Sequence, residues 1–167
     1  MNRLFAIICL AILLASCGGR DVPVIEMDPK GNIKENMINA NRYMSKAEET
    51  QIKEFVERHK WDVKTLDNGV RVWEYFKGDG EKVGYEKQIK IRYSLSAISS
   101  AEIYTDVEKE IVVGKNEIVP GLDAALLQLA QGCRAKVIVP SHLGYGVAGD
   151  GDKVPQNAIL IFDVEIM

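Results

Sequence analysis

From Ile111 to Gly146 the chain reads IVVGKNEIVPGLDAALLQLAQGCRAKVIVPSHLGYG, and few folds accommodate that string. It predicts a strand, a turn, one short helix, a second strand and a loop carrying an aromatic residue. Val119-Pro120-Gly121 opens the helix. Proline suits a helix start because the first N–H groups lack partners inside the helix and its φ is already helical. Leu122, Ala125, Leu126 and Leu129 then recur at helical spacing on one face, with Gln128 and Gln131 toward the other. Gly132 supplies a stop. Arg134 to Val139 is a β-branched run closed by Pro140, the pattern of a strand. So short an amphipathic helix is marginal alone in water. It needs a sheet to cover its leucines.

The rest of the chain supplies that sheet. Asp67-Asn68-Gly69 is a tight-turn signal before Val70, Val72 and Trp73, and Gly78-Asp79-Gly80 is the next turn. Between Gln88 and Leu95, Ile89, Ile91, Tyr93 and Leu95 alternate with Lys90, Arg92 and Ser94, as in a half-buried antiparallel strand. Ile103 to Val113 reads as a broken strand, interrupted by Asp106 and Glu108-Lys109-Glu110. In the final strand, Ile159 to Ile166, Leu160, Phe162, Val164 and Ile166 face one way, with Ile161, Asp163 and Glu165 opposite. Five to six antiparallel strands and one packed helix make an α+β architecture.

The N-terminal third is organised differently. Met1-Asn2-Arg3 is a short positive segment, and Leu4 to Leu14 is an apolar run too short to span a bilayer and suited to a secretory signal. Leu14-Ala15-Ser16-Cys17 resembles the lipobox of bacterial lipoproteins, in which the cysteine is lipidated and becomes the mature N-terminus. Residues 1–16 are therefore expected to be a lipoprotein signal and Cys17 the lipidation site. Several acyl chains on one residue anchor stably, whereas a single chain binds only marginally. Residues 17–34, with Pro23, Pro29 and Gly31 and no periodicity, read as a flexible tether. Residues 35–61 are helical in pattern. Met37, Ile38, Asn41 and Met44 suggest a first segment, and Ser45 with Glu48 forms a capping-box signature for a second. Ile52, Phe55, Val56 and His59 share a face of that second segment. Residues 62–167 form the remaining domain.

Charge and reactive side chains exclude most chemistries. The net charge is −3, and loss of residues 1–16 removes Arg3 and no acid, so nothing suggests an electrostatic nucleic-acid binder. There is no metal-ligand spacing, phosphate loop, nucleophile elbow or paired-carboxylate motif, so no metal or cofactor is expected. His59 and His142 lie far apart without acidic partners at ligand spacing. Cys133 stands alone in the domain, with no histidine nearby in sequence, and reads as a small, partly buried residue at a helix end. An apolar, aromatic-containing cleft remains, and such clefts bind ligands.

The strings VGKNEIVPGLDAAL, GCRAKVIVPSHLGYG and VPQNAILIFDVEIM, in that order and spacing, resemble the core of FKBP-type peptidyl-prolyl isomerases. The resemblance runs from about Thr65 to Met167. It implies a curved antiparallel sheet wrapped around a short helix, preceded here by an N-terminal helical extension. It implies proline-containing polypeptides as partners and prolyl isomerisation as the activity. Tyr93, the backbone N–H of Val119, Tyr145 and Phe162 match the family's catalytic positions, and Ile111, Ile118, Leu122 and Val154 its substrate-binding walls. Gly146 to Lys153 would be a flap beside the cleft. Extended family members use such helices to dimerise or capture clients, whereas the modest apolar face here points to packing on its own domain.

Two departures stand out. After the Tyr93 strand the family usually carries Phe-Asp, where this chain has Ile103-Tyr104, and Asp106 comes two residues late. A further pocket aromatic is replaced by Lys109 or Val107. Weak binding of macrolide inhibitors and reduced turnover are the implied consequences. The lipobox, Asn41-Arg42-Tyr43, Lys60-Trp61 and Ile103-Tyr104 together resemble gliding-motility-associated FKBP lipoproteins. That resemblance implies a periplasmic-facing membrane lipoprotein. Gly18 after the cysteine, instead of an inner-membrane retention aspartate, points to the outer membrane. The alternative function is a non-catalytic chaperone or structural lipoprotein using the same cleft to hold peptide. Oligomeric state is left open.

Overall fold

A computed structural model describes residues 32–99 and 101–167. The signal, Cys17 and most of the tether lie outside the described residues. The chain divides into two compact units, one ending at Ala40 and one from Asn41 to Met167.

Helix α1 runs unbroken over Ile33–His59. The expected division at Ser45 does not occur. Ser45 is exposed mid-helix, and the start is set upstream, where the Asn32 side-chain oxygen accepts the Lys34 N–H at 3.1 Å. The helix ends with Lys60 at φ 54° and the Trp61 N–H bonded to the Val56 carbonyl at 3.2 Å, a left-handed C-terminal cap. Glu48, read from sequence as a capping-box residue, instead reaches Ser141 across the domain.

Six strands follow: β1 (Lys64–Thr65), β2 (Arg71–Phe76), β3 (Gln88–Ala97), β4 (Glu102–Val112), β5 (Arg134–Val139) and β6 (Leu160–Ile166). They form one antiparallel sheet in the order β1-β2-β5-β6-β3-β4. The segment expected to be a broken strand is the continuous β4, and its irregularity consists of bulges. Tyr93 to Leu95 on β3 oppose Val107 to Tyr104 on β4, so one extra residue is accommodated there. Asp106 takes φ 52° in this bulge, and its N–H bonds the Ser94 hydroxyl at 3.2 Å.

Helix α2 (Pro120–Leu126) lies against one face of the sheet, and Gly132, at φ 79°, belongs to the loop beyond it instead of capping it. Leu122, Ala125 and Leu126 are fully buried among Ile91, Leu95, Ala135, Val137, Leu160, Phe162 and Val164. Gly121 allows this approach, since a Cβ there would collide with the Val139 side chain. Asp123 pins the helix to the end of β4: both carboxylate oxygens lie 2.9 Å from the Gly114 N–H. Gly114 itself, at φ 85°, has no room for a side chain against the Tyr85 ring.

The opposite face carries a second, smaller core. Ile52 and Phe55 of α1 pack on Ile138, Ile159 and Ile161, with Val56, Trp61 and Ile98 around them. The sheet is thus covered on both faces along β5 and β6, which explains why Ile138 and Ile161 are apolar where simple alternation would put polar groups. Burying each such side chain contributes about 1.5–3 kcal/mol. Cys133 is a fully buried free thiol in the main core, and burial pushes its pKa up, so it behaves as an apolar residue.

Candidate active site

The site lies on the α2 side of the sheet. Strand β3 presents Tyr93, β4 presents Ile111, β6 presents Phe162, and the approach to α2 presents Ile118 and Val119. Ile111, Val119, Leu122, Val154 and Phe162 are buried in one cluster, and Tyr93, Ile118 and Tyr145 are partly buried against it. All eight residues singled out in the sequence are therefore neighbours of a single apolar core. The Tyr93 and Phe162 rings lie 5.7 Å apart at 58°, within the range of favourable aromatic pairs.

Two polar tips stand at the edge of this cluster. Burial pushes up the pKa of the Tyr93 hydroxyl. The Tyr145 hydroxyl is raised too, first by burial and then by the nearby Tyr93 and Asp150. Neither hydroxyl has a hydrogen-bond partner among the described residues, and neither is a buried unsatisfied atom, so both remain reachable from solvent. The Val119 N–H, at the start of α2, is likewise unpartnered among the described residues. Three free donors beside buried aliphatic and aromatic side chains suit a peptide carbonyl flanked by an apolar ring.

The flap, residues 146–153, is held by a carboxylate that the sequence reading did not single out. Asp150 accepts the Tyr104 hydroxyl at 2.7 Å, the Val154 N–H at 2.7 Å and the Asp152 N–H at 2.9 Å. The Tyr104 bond, ahead of the backbone donors, draws its pKa down to about 2. The same bond raises the pKa of the Tyr104 hydroxyl. Lys153 lies 5.2 Å from the centre of the Tyr104 ring. Tyr104, noted in the sequence as a departure, is therefore the strand end of a clasp whose other end is the flap. The Asp-Gly-Asp string at 150–152 was the available signal, since such side chains bind their own backbone in turns.

Tyr145 is held from below. The Ser141 carbonyl accepts the N–H groups of Gly144 and Gly146, each at 3.0 Å, and the Gly146 carbonyl accepts the Asn157 N–H at 2.8 Å. Lys109, proposed to replace a pocket aromatic, turns its ammonium to the Glu117 carbonyl. A separate groove of about 350 Å3, lined by residues including Met44, Gln51, Ile98, Pro155 and Ala158, contains none of the eight site residues.

Six antiparallel strands packed on one short helix, with a buried apolar cluster flanked by unpaired donors, define an α+β domain. Residues 79–167 match the family model of the FKBP-type peptidyl-prolyl cis-trans isomerases, and the chain belongs to that family. It is 28% identical over 111 residues to a probable FKBP-type 25 kDa peptidyl-prolyl cis-trans isomerase of Pseudomonas aeruginosa, covering 66% of this chain and 48% of that protein. It is 34% identical over 84 residues to FK506-binding protein 2 of Dictyostelium discoideum, covering 48% of this chain and 63% of that one. The chain thus spans roughly half to two thirds of these relatives. The crystal structure of a peptidyl-prolyl cis-trans isomerase from Pseudomonas syringae pv. tomato superposes with a TM-score of 0.64 at 23% identity, covering 75% of this chain and 92% of that one, a likeness of fold.

Proposed function

We propose that the chain is a peptidyl-prolyl cis-trans isomerase acting on X-Pro bonds of exported and envelope proteins, anchored to the membrane through lipidated Cys17. The observation that carries the enzymatic reading is the unpartnered Tyr145 hydroxyl beside Tyr93, Phe162 and the free Val119 N–H. Rotation about an amide bond meets a barrier of about 18–20 kcal/mol, and uncatalysed X-Pro isomerisation takes tens to hundreds of seconds. Twisting the C–N bond ends its resonance and leaves a less polar carbonyl. Val154 and Phe162, which keep a little exposure over the enclosed Leu122, offer walls that favour that state, while Tyr145 and the Val119 N–H hold the flanking backbone. Tyr93 shares the rim, with Ile111 and Ile118 completing the walls. No acid, base or nucleophile is needed, and no cofactor.

The test is isomerisation of an X-Pro tetrapeptide by the full chain beside its Tyr145→Phe variant. Loss of one positioning hydrogen bond should lower kcat/KM by about tenfold. Absence of turnover from folded wild-type protein would sink the enzymatic reading. One observation favours a second reading: Tyr104 occupies the rim and is bonded to the flap. A peptide-holding chaperone or structural lipoprotein would then bind the tetrapeptide with no acceleration.

Localisation rests on the sequence alone. The short apolar run, Cys17 after Leu14-Ala15-Ser16, and Gly18 support a lipoprotein on the periplasmic face, at the outer membrane in preference to the inner. Among the described residues no helix is long and apolar enough to cross a membrane. Cys17→Ser should move the protein from the membrane to the soluble fraction, and retention at the membrane would overturn the anchor. The narrower assignment, to gliding-motility-associated lipoproteins, is supported by Asn41-Arg42-Tyr43, Lys60-Trp61 and Ile103-Tyr104.

A further inference from the structure

We propose that Glu48, on α1, is a positioning residue for Tyr145, so that the N-terminal helix is part of the catalytic apparatus. The inference rests on the isomerase reading for its functional consequence, and on geometry for the positioning itself. Ser141 is buried, and both its N–H and its hydroxyl require acceptors. Glu48, 93 residues earlier, supplies both: its carboxylate accepts the Ser141 N–H at 3.1 Å and also accepts the Ser141 hydroxyl. The carbonyl of the same serine receives Gly144 and Gly146, the two neighbours of Tyr145, while the Pro140 carbonyl receives Leu143. One carboxylate therefore holds the foot of a 3-10 turn, Ser141–Leu143, whose head is the tyrosine.

Neighbouring contacts keep Glu48 in place. Glu49 pairs with buried Arg71, which also donates to the Gly69 carbonyl. Ile52, one turn on from Glu48, seats the helix on the sheet. With Glu48 removed, two buried donors on Ser141 lose their acceptor. Water entering from the groove beside Glu48 holds them less firmly than a fixed carboxylate, so the turn loosens, and Gly144, Tyr145 and Gly146 loosen with it. Charge matters as well as shape, because a carboxylate offers two oxygens where an amide offers one.

The experiment uses the full chain with Glu48→Ala, Glu48→Gln, Tyr145→Phe and the Glu48→Ala, Tyr145→Phe double variant. Phe55→Leu serves as a control that loosens α1 without touching the carboxylate. Amide hydrogen exchange reads the positioning directly. Glu48→Ala should speed exchange at Leu143, Gly144 and Gly146 by about tenfold or more while β5 and β6 amides keep their protection. Glu48→Gln should fall between it and wild type, and Phe55→Leu should leave these three amides unchanged relative to the sheet. Tetrapeptide turnover reads the consequence. Glu48→Ala should cost about tenfold in kcat/KM, as expected for a slightly misplaced group, and almost nothing further in the Tyr145→Phe background. Unchanged exchange at the three amides, or an equal effect from Phe55→Leu, overturns the positioning. Losses that multiply in the double variant overturn the route through Tyr145. If wild-type protein lacks turnover, the isomerase reading and the catalytic consequence fall together, and the exchange data alone decide the positioning.

Discussion

At the scale of single residues, buried groups with one job separate from rim groups with a free hand. Leu122 is fully enclosed under the sheet. Leu122→Ala should lower unfolding stability by about 2–5 kcal/mol, the range for a leucine cavity, as measured by chemical denaturation. Asp123 is buried with both oxygens on the Gly114 N–H. Asp123→Ala leaves that donor unpaired and should cost about 1.5–3 kcal/mol. By contrast Tyr145→Phe removes a hydroxyl that no described residue uses, so it should alter turnover while leaving the denaturation midpoint within about 0.5 kcal/mol of wild type. A large loss of stability in that variant would mean the hydroxyl is structural.

At the scale of elements, the flap and β4 act as one unit through Asp150. Its folded pKa, about 2, lies below the ordinary carboxylate value, roughly 3.9. The sign follows: a depressed carboxylate contributes stability that is fully present above the unfolded value and is lost as pH falls through the folded one. The clasp should therefore persist unchanged from neutral pH to about pH 4–5 and release between there and about pH 2. The Val154 amide proton shift, which reports its bond to Asp150, should titrate in that window. In Tyr104→Phe the midpoint should rise toward the ordinary value, because the principal cause of the depression is gone. A midpoint unmoved by that substitution would show that the backbone donors hold Asp150 without the tyrosine. Surface pairs such as Arg92 with Glu108 are exposed on both sides and should matter little.

At the scale of the whole second unit, the sheet depends on covers from two distant parts of the chain. Helix α2 closes one face and the Asn41–His59 part of α1 the other. Phe55→Ala should destabilise by about 3–5 kcal/mol and lower the thermal midpoint by about 10–20 °C. A midpoint close to wild type would mean that α1 is an ornament on an otherwise complete domain. The same coupling explains why loss of α1 would leave Ile138, Ile159 and Ile161 uncovered and aggregation-prone.

The fold was legible where local chemistry and burial pattern agree. Turn residues such as Asp67-Asn68-Gly69, alternation along β3 and β6, and helical spacing from Leu122 each carry their own signal. The sheet and its short helix could be read from such strings because regular elements have fixed periods, whereas Ile118, Val119, Tyr145 and Val154 lie in loops without a period and were marked only by the family resemblance. Ser45-Glu48 misled because a local capping pattern competed with a helix already started at Asn32, and tertiary packing of Ile52 and Phe55 sustains the helix through it. The broken appearance of β4 had a real cause, but periodicity cannot distinguish a bulge from an interruption when both spoil alternation. What the sequence determined by itself is the set of elements and their apolar faces, because these depend on residues a few positions apart. What only the tertiary structure decided is the use of particular carboxylates. Glu48 reaches Ser141 and Asp150 reaches Tyr104 across 93 and 46 positions. No local period records such pairs, because a hydrogen bond between distant residues forms only after the sheet has brought them together.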